Sequence, residues 1–225
     1  MTNLALAVLA FVGGHFLLSS PPVRKPLAVR VGEPAFFAFY SSLMVAAFVW
    51  MVKAFLAAPL IPLWGVPPAA RLIPLIVMPF ACLLLVGSLT GRNPTMIMQS
   101  VATSGDPAPG VLKITRHPMM WAIGLWALAH LIVNGDAAAL LLFGGIAVLA
   151  LPGTLAIDAK RHARDPEGFA RLAAKTSNVP LAALLAGRAR LRLGDIGWWR
   201  IVLAAALDVV LVLAHPGAVF LTRVS

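Results

Sequence analysis

Cysteine and charged residues are scarce in this sequence, and each shortage excludes a class of function. Cys82 is the only cysteine, so an intrachain disulfide, a CxxC zinc site and a thioether-linked haem are excluded. It lies in an apolar stretch without a charged neighbour, and we interpret it as a small core residue. Only eight residues are acidic, which leaves no paired-carboxylate site. Asp208, in an apolar stretch, needs a polar partner, for which Lys53 is a candidate.

Long apolar stretches take the place of charge. Apolar residues make up 60% of the chain and charged residues 12%, and the mean hydropathy is +0.92. A soluble domain has roughly a quarter charged residues, so this composition predicts a polytopic membrane protein. We expect an all-α bundle of about six transmembrane helices in one domain, residues 1–225. Several apolar windows are shorter than the ~20 residues of a full span. The windows are 3–18, 36–57, 72–90, 118–134, 137–157 and 199–221.

The basic residues predict which side of the membrane each connection faces. The formal net charge is +10. With the N-terminus outside and six alternating helices, fifteen of the eighteen Lys and Arg residues fall on one side, which the positive-inside rule makes cytoplasmic. Lys53, Arg71 and Arg223 fall on the other side. We therefore expect an inner-membrane protein with both termini periplasmic. Its basic residues would contact anionic membrane lipids, and no nucleic-acid binding is expected.

The connections between the windows carry local signals. The first basic residue, Arg24, follows the first window, which is the wrong order for a secretory signal, so a retained helix is expected. Residues 19–35 predict a short connection punctuated by prolines, and residues 58–71 predict an outer loop with Trp64 at the interface. The tripeptide NGD at 134–136 predicts a tight turn.

The stretch 158–198 is the longest polar part of the sequence. Its apolar residues Phe169, Leu172 and Ala173 recur at helical spacing beside basic residues. This pattern predicts a helix that lies on the cytoplasmic membrane surface.

Three of the five histidines have ordinary interpretations. His162 lies among arginines and is expected to be solvated. His117 precedes Pro118, a residue suited to the first position of a helix, so we expect a cap at the level of the lipid headgroups. His215 is expected near the outer end of the last helix.

His15 and His130 differ because each lies inside an apolar window, where an ionisable side chain is costly. His15 follows Gly13 and Gly14, which leave space for a close helix neighbour or for a planar cofactor. His130 shares a helix face with Trp126. Two imidazoles on facing helices are how helix bundles hold haem, and they also make ordinary interhelical hydrogen bonds. The residue pattern leaves both interpretations open.

Five blocks of the sequence resemble the NnrU family: GHFLL, VGEPAFFAFYSSL, LKITRHPMMWAIGLWALAHLIVNGD, TSNVPLAALLAGR and LAHPGAVF. They follow one another from about residue 12 to about residue 220. The family includes the plant 15-cis-zeta-carotene isomerase, so the resemblance implies membrane-bound haem b with axial histidines on two helices. It assigns one ligand to His130, through the pattern Trp-small-Leu-Ala-His. The other is His15, upstream of Gly32 and Glu33.

The resemblance implies a haem iron bound by His15 and His130, which would also be the catalytic residues. Isomerase members carry a cysteine three residues before the second histidine; here that position is Ala127, so ligand exchange through it cannot occur. Asn134 caps its helix or contacts a haem propionate, and Arg116 is an alternative propionate partner. The other residues expected around the macrocycle are Gly13, Gly14 and Trp126.

Three functions follow as alternatives. The first is haem-dependent cis–trans isomerisation of an apolar, lipid-soluble polyene that enters from the bilayer. The second is a non-catalytic haem or redox accessory role, since bacterial family members are associated with nitrite and nitric oxide reduction. The third is S-adenosylmethionine-dependent methyl transfer, since TRHP (115–118) resembles a segment of membrane methyltransferases. Those enzymes usually add a glutamate pair that AIDAKRHARDPEG (156–168) lacks. A homo-oligomer is compatible with each function.

Overall fold

Helices make up the regular structure of the part of the chain that the computed structural model describes, residues 1–95 and 105–215. The all-α fold class that the composition predicts is confirmed. The helices are α1 (Thr2–Ser19), α2 (Pro21–Val31), α3 (Glu33–Leu56), α4 (Leu72–Thr90), α5 (Pro118–Asn134), α6 (Ala137–Arg164), α7 (Pro166–Lys175), α8 (Ala182–Leu185), α9 (Leu193–Ile196) and α10 (Trp198–Ala214), with 3₁₀ turns at Pro68–Arg71 and Gly110–Lys113.

Each predicted apolar window contains one long helix. By length and composition, α1, α3, α6 and the segment Pro68–Thr90 that includes α4 can cross a membrane. Helices α5 and α10 have 17 residues each, which is short of the ~20 residues of a full span. A helical membrane bundle is therefore established, and the count of about six spans stays a prediction.

The long helices pack side by side and alternate in direction. Helix α1 packs against α3 and α6, α5 packs against α6 and α4, and α10 packs against α4. Lys160 near the end of α6 donates to Ser19 at the end of α1, and Arg200 at the start of α10 donates to Thr90 at the end of α4. We call this side of the bundle, where α1, α4 and α6 end, the basic end, and the other side the opposite end.

Small residues allow the helices to approach closely. Alanines dominate the largest buried cluster, which includes Ala127 of α5 and joins α1, α3, α5 and α6. A Cβ added at Gly145 of α6 would lie 2.5 Å from Val8 of α1, and a Cβ added at Gly124 of α5 would lie 2.6 Å from Leu151 of α6. Close contact through small residues is how membrane helices gain packing energy, because lipid gives them little hydrophobic drive to associate.

The predicted tight turn and outer loop meet at the opposite end. Asp136 caps α6 by accepting hydrogen bonds from the N–H groups of Ala138 and Ala139 at 2.9 and 3.0 Å. Gly135 has a φ of 64°, and a Cβ there would lie 2.6 Å from the carbonyl oxygen of Trp64. The Trp64 N–H donates to the Gly135 carbonyl. The turn at 134–136 is therefore confirmed.

Two connections differ in how well the sequence predicted them. A helix, α7, exists where the pattern predicts one, with Leu172 buried, and its position on the cytoplasmic membrane surface stays a prediction. The proline-punctuated stretch 19–35 is not a simple connection, because it contains α2. Pro21 and Pro22 occupy the first two positions of α2, where proline needs no N–H partner and presets a helical φ. Prolines there begin a helix rather than interrupt one.

The orientation of the bundle in the membrane stays a prediction. Lys53 and Arg71 lie towards the opposite end, whereas Arg223, the C-terminus and residues 216–221 of the last window lie outside the described residues. An alkaline phosphatase reporter is expected to be active when fused within the loop 58–71 or after the C-terminus, and inactive after Lys175. A C-terminal fusion that reports a cytoplasmic location would contradict this orientation.

Candidate functional site

His15 lies in the last part of α1, half-buried against α3. Its Nδ1 is 2.8 Å from the carbonyl oxygen of Phe11, one helical turn earlier. A carbonyl oxygen can only accept a hydrogen bond, so Nδ1 carries the proton and Nε2 carries a lone pair. The imidazole ring meets the rings of Phe11 and Tyr40 edge-on, with centroids 4.6 and 5.8 Å away. The sequence shows two glycines next to His15, and the structure adds contacts with the rings of Phe11 and Tyr40.

Gly13 and Gly14 have different surroundings. A Cβ added at Gly13 would meet no atom within 4 Å, so open space lies beside it. A Cβ added at Gly14 would lie 2.8 Å from the Cε of Met44, so α3 fills that space. Only Gly13 therefore leaves room of the kind expected beside a planar cofactor.

His130 lies near the end of α5, and its hydrogen bonding repeats that of His15. Its Nδ1 is 2.8 Å from the carbonyl oxygen of Trp126, which again leaves the lone pair on Nε2. The rings of Trp126 and Phe143 lie 5.3 and 5.4 Å from the imidazole. Asn134 donates to the carbonyl of His130 at 2.7 Å, so its side chain serves the end of the helix. Ala127 is fully buried in the core.

The two imidazoles contact different helices. Among the described residues, His15 has its ring partners on α1 and α3, whereas His130 has its partners on α5 and α6. Tyr40, which meets His15, and Phe55, which meets Phe143 beside His130, are about 22 Å apart along α3. The approach of His15 to His130 that a shared iron requires therefore stays a prediction, and it needs the two side chains to come much closer than their surroundings on α3.

A line of aromatic rings connects the surroundings of the two histidines. Three rings on α3 make the contacts: Tyr40 with His15, Phe48 with Phe11 at 5.6 Å, and Phe55 with Phe143 at 6.1 Å. We call this the aromatic groove, and its residues are Phe11, Tyr40, Phe48, Phe55 and Phe143. Phe48 is 46% exposed, so this row of rings reaches the surface of the bundle.

His215, at the end of α10, is a neighbour of His130 that the sequence did not indicate. The electrostatic influence of His215 reaches His130, so the two side chains lie in the same region of the bundle. The Nδ1 of His215 also lies within hydrogen-bond distance of a carbonyl oxygen one turn earlier, that of Leu211, at 2.6 Å. Only helix packing brings these two residues into the same region, so no local signal could have revealed it.

Arg116, His117 and Asp158 form a buried cluster at the basic end. The Asp158 carboxylate accepts from the Nε and a terminal nitrogen of Arg116 and from the Nε2 of His117 at 2.8 Å. His117 is the N-cap of α5 as predicted, and its side chain is fully buried, whereas a position at the level of the lipid headgroups stays a prediction. The His117 Nδ1 is buried, and it has no hydrogen-bond partner among the described residues. The tertiary contact with α6 causes this burial.

The same cluster changes the interpretation of Arg116, the expected propionate partner. Its guanidinium already neutralises the Asp158 carboxylate, with only 14% and 13% of the two side chains exposed. Asn178 extends the network: it accepts from the Trp121 indole N–H at 3.2 Å and donates to the Thr154 hydroxyl at 2.8 Å. The TRHP motif marked Arg116 in the sequence, whereas its partner Asp158 lay far away along the chain.

Three other sequence candidates have simple surroundings. Cys82 is 2% exposed, as expected of a core residue. The polar partner of Asp208 is this Cys82 thiol, at 3.9 Å, so the expectation of a cysteine without a charged neighbour is wrong. His162 is exposed as predicted and lies edge-on to the ring of Phe169.

An ion pair and a small cavity lie beside α9 at the basic end. Lys113 donates to Asp195 at 3.0 Å, and this hydrogen bond raises the pKa of the Lys113 ammonium. The backbone N–H of Arg192, and after it Lys113, lowers the pKa of Asp195. The cavity has a volume of about 170 Å³ and is lined in part by Asp195 and Arg200. Ligand pockets usually measure ~300–1,000 Å³, so this cavity cannot hold a large cofactor.

Comparisons with known proteins give a family match over nearly the whole chain and two partial matches to plant proteins. The family model described as NnrU protein matches residues 3–222. The chain is 35% identical over 82 residues to 15-cis-zeta-carotene isomerase, chloroplastic, of Zea mays, and 34% identical over 79 residues to the protein of the same name in Arabidopsis thaliana. These matches cover 36% and 35% of this chain but only 22% of each relative. No solved structure matches the chain.

Proposed function

The chain belongs to the NnrU family, and from this premise we propose that it is a membrane haem b protein that isomerises an apolar polyene drawn from the bilayer. The partial relatives named as isomerases suggest the reaction class. One observation carries the haem assignment: in both His15 and His130 the helix backbone holds the Nδ1 proton, which leaves an Nε2 lone pair for iron.

The donor set fits haem iron. Imidazole is a common axial ligand, and a carbonyl oxygen on Nδ1–H fixes the ring orientation and makes Nε2 more basic. His15 and His130 would hold the iron, Gly13 would leave room beside His15, and Trp126 would pack beside His130. A bound haem supplies a redox-active iron that can donate electron density to a conjugated chain and lower the barrier to rotation about a double bond.

The aromatic groove suits an apolar polyene. Its rings follow α3 between the surroundings of His15 and those of His130, and they would contact a long conjugated chain through dispersion. Because Phe48 reaches the surface of the bundle, an apolar substrate would enter from the bilayer at this ring. The residues of the groove would hold the chain and exclude water from it.

A second candidate function is a non-catalytic haem or redox accessory role in nitrite and nitric oxide reduction. Ala127 favours it, because this residue has no ligating atom and is fully buried. Neither imidazole then has a substitute ligand at that position. A haem that keeps both imidazoles can transfer electrons without opening a coordination site for a substrate.

Absorption spectra and an isomerisation assay separate these functions. We expect purified protein to show a sharp pair of visible bands on reduction with dithionite, typical of six-coordinate haem b. The reduced protein is expected to change the isomer ratio of 15-cis-zeta-carotene, with haem-free protein as the control. Visible bands without a change in isomer ratio would favour the accessory function. A folded, colourless protein that haemin cannot reconstitute would contradict both.

A further inference from the structure

Two cationic side chains lie near His15 at the basic end of the bundle. Lys160 of α6 is half-buried, and its Nζ donates to the Ser19 hydroxyl at 3.0 Å. Ser19 is the last residue of α1 and lies one helical turn beyond His15. The Lys160 ammonium is therefore tied to the end of the helix that carries His15.

Arg24 of α2 reaches the same region through aromatic rings. Its guanidinium lies over the ring of Phe36 at 5.7 Å, and Phe36 stacks on Tyr40 at 6.2 Å. Tyr40 in turn meets the imidazole of His15. The positive charge of Arg24 also acts on Lys160, so the two cations repel one another.

Of these two cations, only Arg24 has an acidic partner among the described residues, and that pair is weak. Arg24 pairs with Glu33 at 2.6 Å, but the two side chains are 45% and 62% exposed, and exposed pairs contribute little. Within residues 1–95 and 105–215, no carboxylate forms an ion pair with Lys160. Its hydrogen-bond partner, the Ser19 hydroxyl, is neutral. Binding of an anion would stabilise a half-buried ammonium that lies beside a guanidinium.

We infer that Lys160, Ser19 and Arg24 form a binding site for the carboxylate or phosphate of an amphiphile whose apolar body lies against His15 and Tyr40. The ammonium and the guanidinium would supply charge-assisted hydrogen bonds to the anion, and the rings would contact the apolar body. Where haem is the amphiphile, the inference rests on the proposed function, and its propionates occupy this site in place of the expected contact with Arg116. An anionic lipid would offer its phosphate to the same groups.

The first experiment tests whether the site binds a carboxylate, by comparing haemin with its dimethyl ester. Titrated into haem-free protein and followed by absorption, haemin is expected to bind wild type about tenfold more tightly than the ester, which lacks the two negative charges. Lys160→Gln and Arg24→Gln should each reduce this preference, while Lys160→Arg should keep most of it. Lys25→Gln and Arg164→Gln, which remove neighbouring exposed charges from α2 and α6, should leave it unchanged. Arg24 is exposed, so Arg24→Gln tests the site even if Lys160→Gln fails to fold.

The second experiment tests whether the site binds a lipid phosphate, and it needs no haem. Haem-free wild type is expected to unfold at a higher temperature in phosphatidylglycerol than in phosphatidylcholine membranes, and Lys160→Gln and Arg24→Gln should reduce that difference more than the two control variants do. If wild type binds no haem, the proposed function fails, and the lipid experiment alone decides whether the anion-binding site exists. Equal binding of haemin and its ester, together with a lipid effect unchanged in Lys160→Gln and Arg24→Gln, would overturn the inference.

Discussion

His130→Ala is expected to abolish the paired visible bands of the reduced protein, and His15→Ala is expected to do the same. Each substitution removes one Nε2 donor, and a five-coordinate haem b has broader, weaker bands than the six-coordinate form. Changes of residues that only support a metal ligand already weaken metal affinity by roughly 10–100-fold, so loss of a ligand should lower haem retention at least this much. The measurement is haem content per protein and the dithionite-reduced spectrum.

Two histidine variants serve as controls for this experiment. His162 is exposed, so His162→Ala should leave the spectrum unchanged. His215→Ala is the more demanding control, because His215 also carries an imidazole and lies in the same region of the bundle as His130. If His215→Ala removes the bands and His15→Ala does not, the second ligand is His215 and the assignment of His15 is wrong.

Asp158→Asn is expected to lower the free energy of unfolding by about 3 kcal/mol, since removal of one partner leaves a charge in the buried cluster without compensation. Arg116 would lose its carboxylate, and the His117 Nε2 would lose its charged acceptor. This cluster ties the start of α5 to the end of α6, so the loss should affect the whole bundle. The measurement is unfolding of the purified protein in mixed micelles.

A neighbouring acid and a double variant test the origin of that effect. Glu167 is exposed in the first turn of α7, so Glu167→Gln should change stability by less than about 0.5 kcal/mol. The double variant Arg116→Gln with Asp158→Asn should lose less stability than the sum of the single variants, because no buried charge is then left alone. Additive losses would show that the pair is not coupled.

The sequence singled out residues whose signal was local, and their role as a site stays a prediction. His15 and His130 stand out because an ionisable side chain in an apolar helix is costly, and their Nδ1 bonds go to their own helices. The salt bridge of Arg116 with Asp158 was missed because this partner lies on another helix. The nearness of Arg24 and Lys160 to the surroundings of His15 was missed for the same reason, since α2, α3 and α6 supply those contacts.

The sequence by itself determined the elements that depend on local chemistry. Apolar windows became the long helices, Gly135 and Asp136 made the turn before α6, and the apolar residues spaced through 166–175 made α7. Tertiary structure alone decided which side chains meet: the burial of His117 against Asp158, and the aromatic groove along α3. The physical reason is the distance along the chain over which each kind of interaction acts. Helix formation and capping act over about four residues, whereas burial and ion pairing depend on which helix faces bring distant residues together.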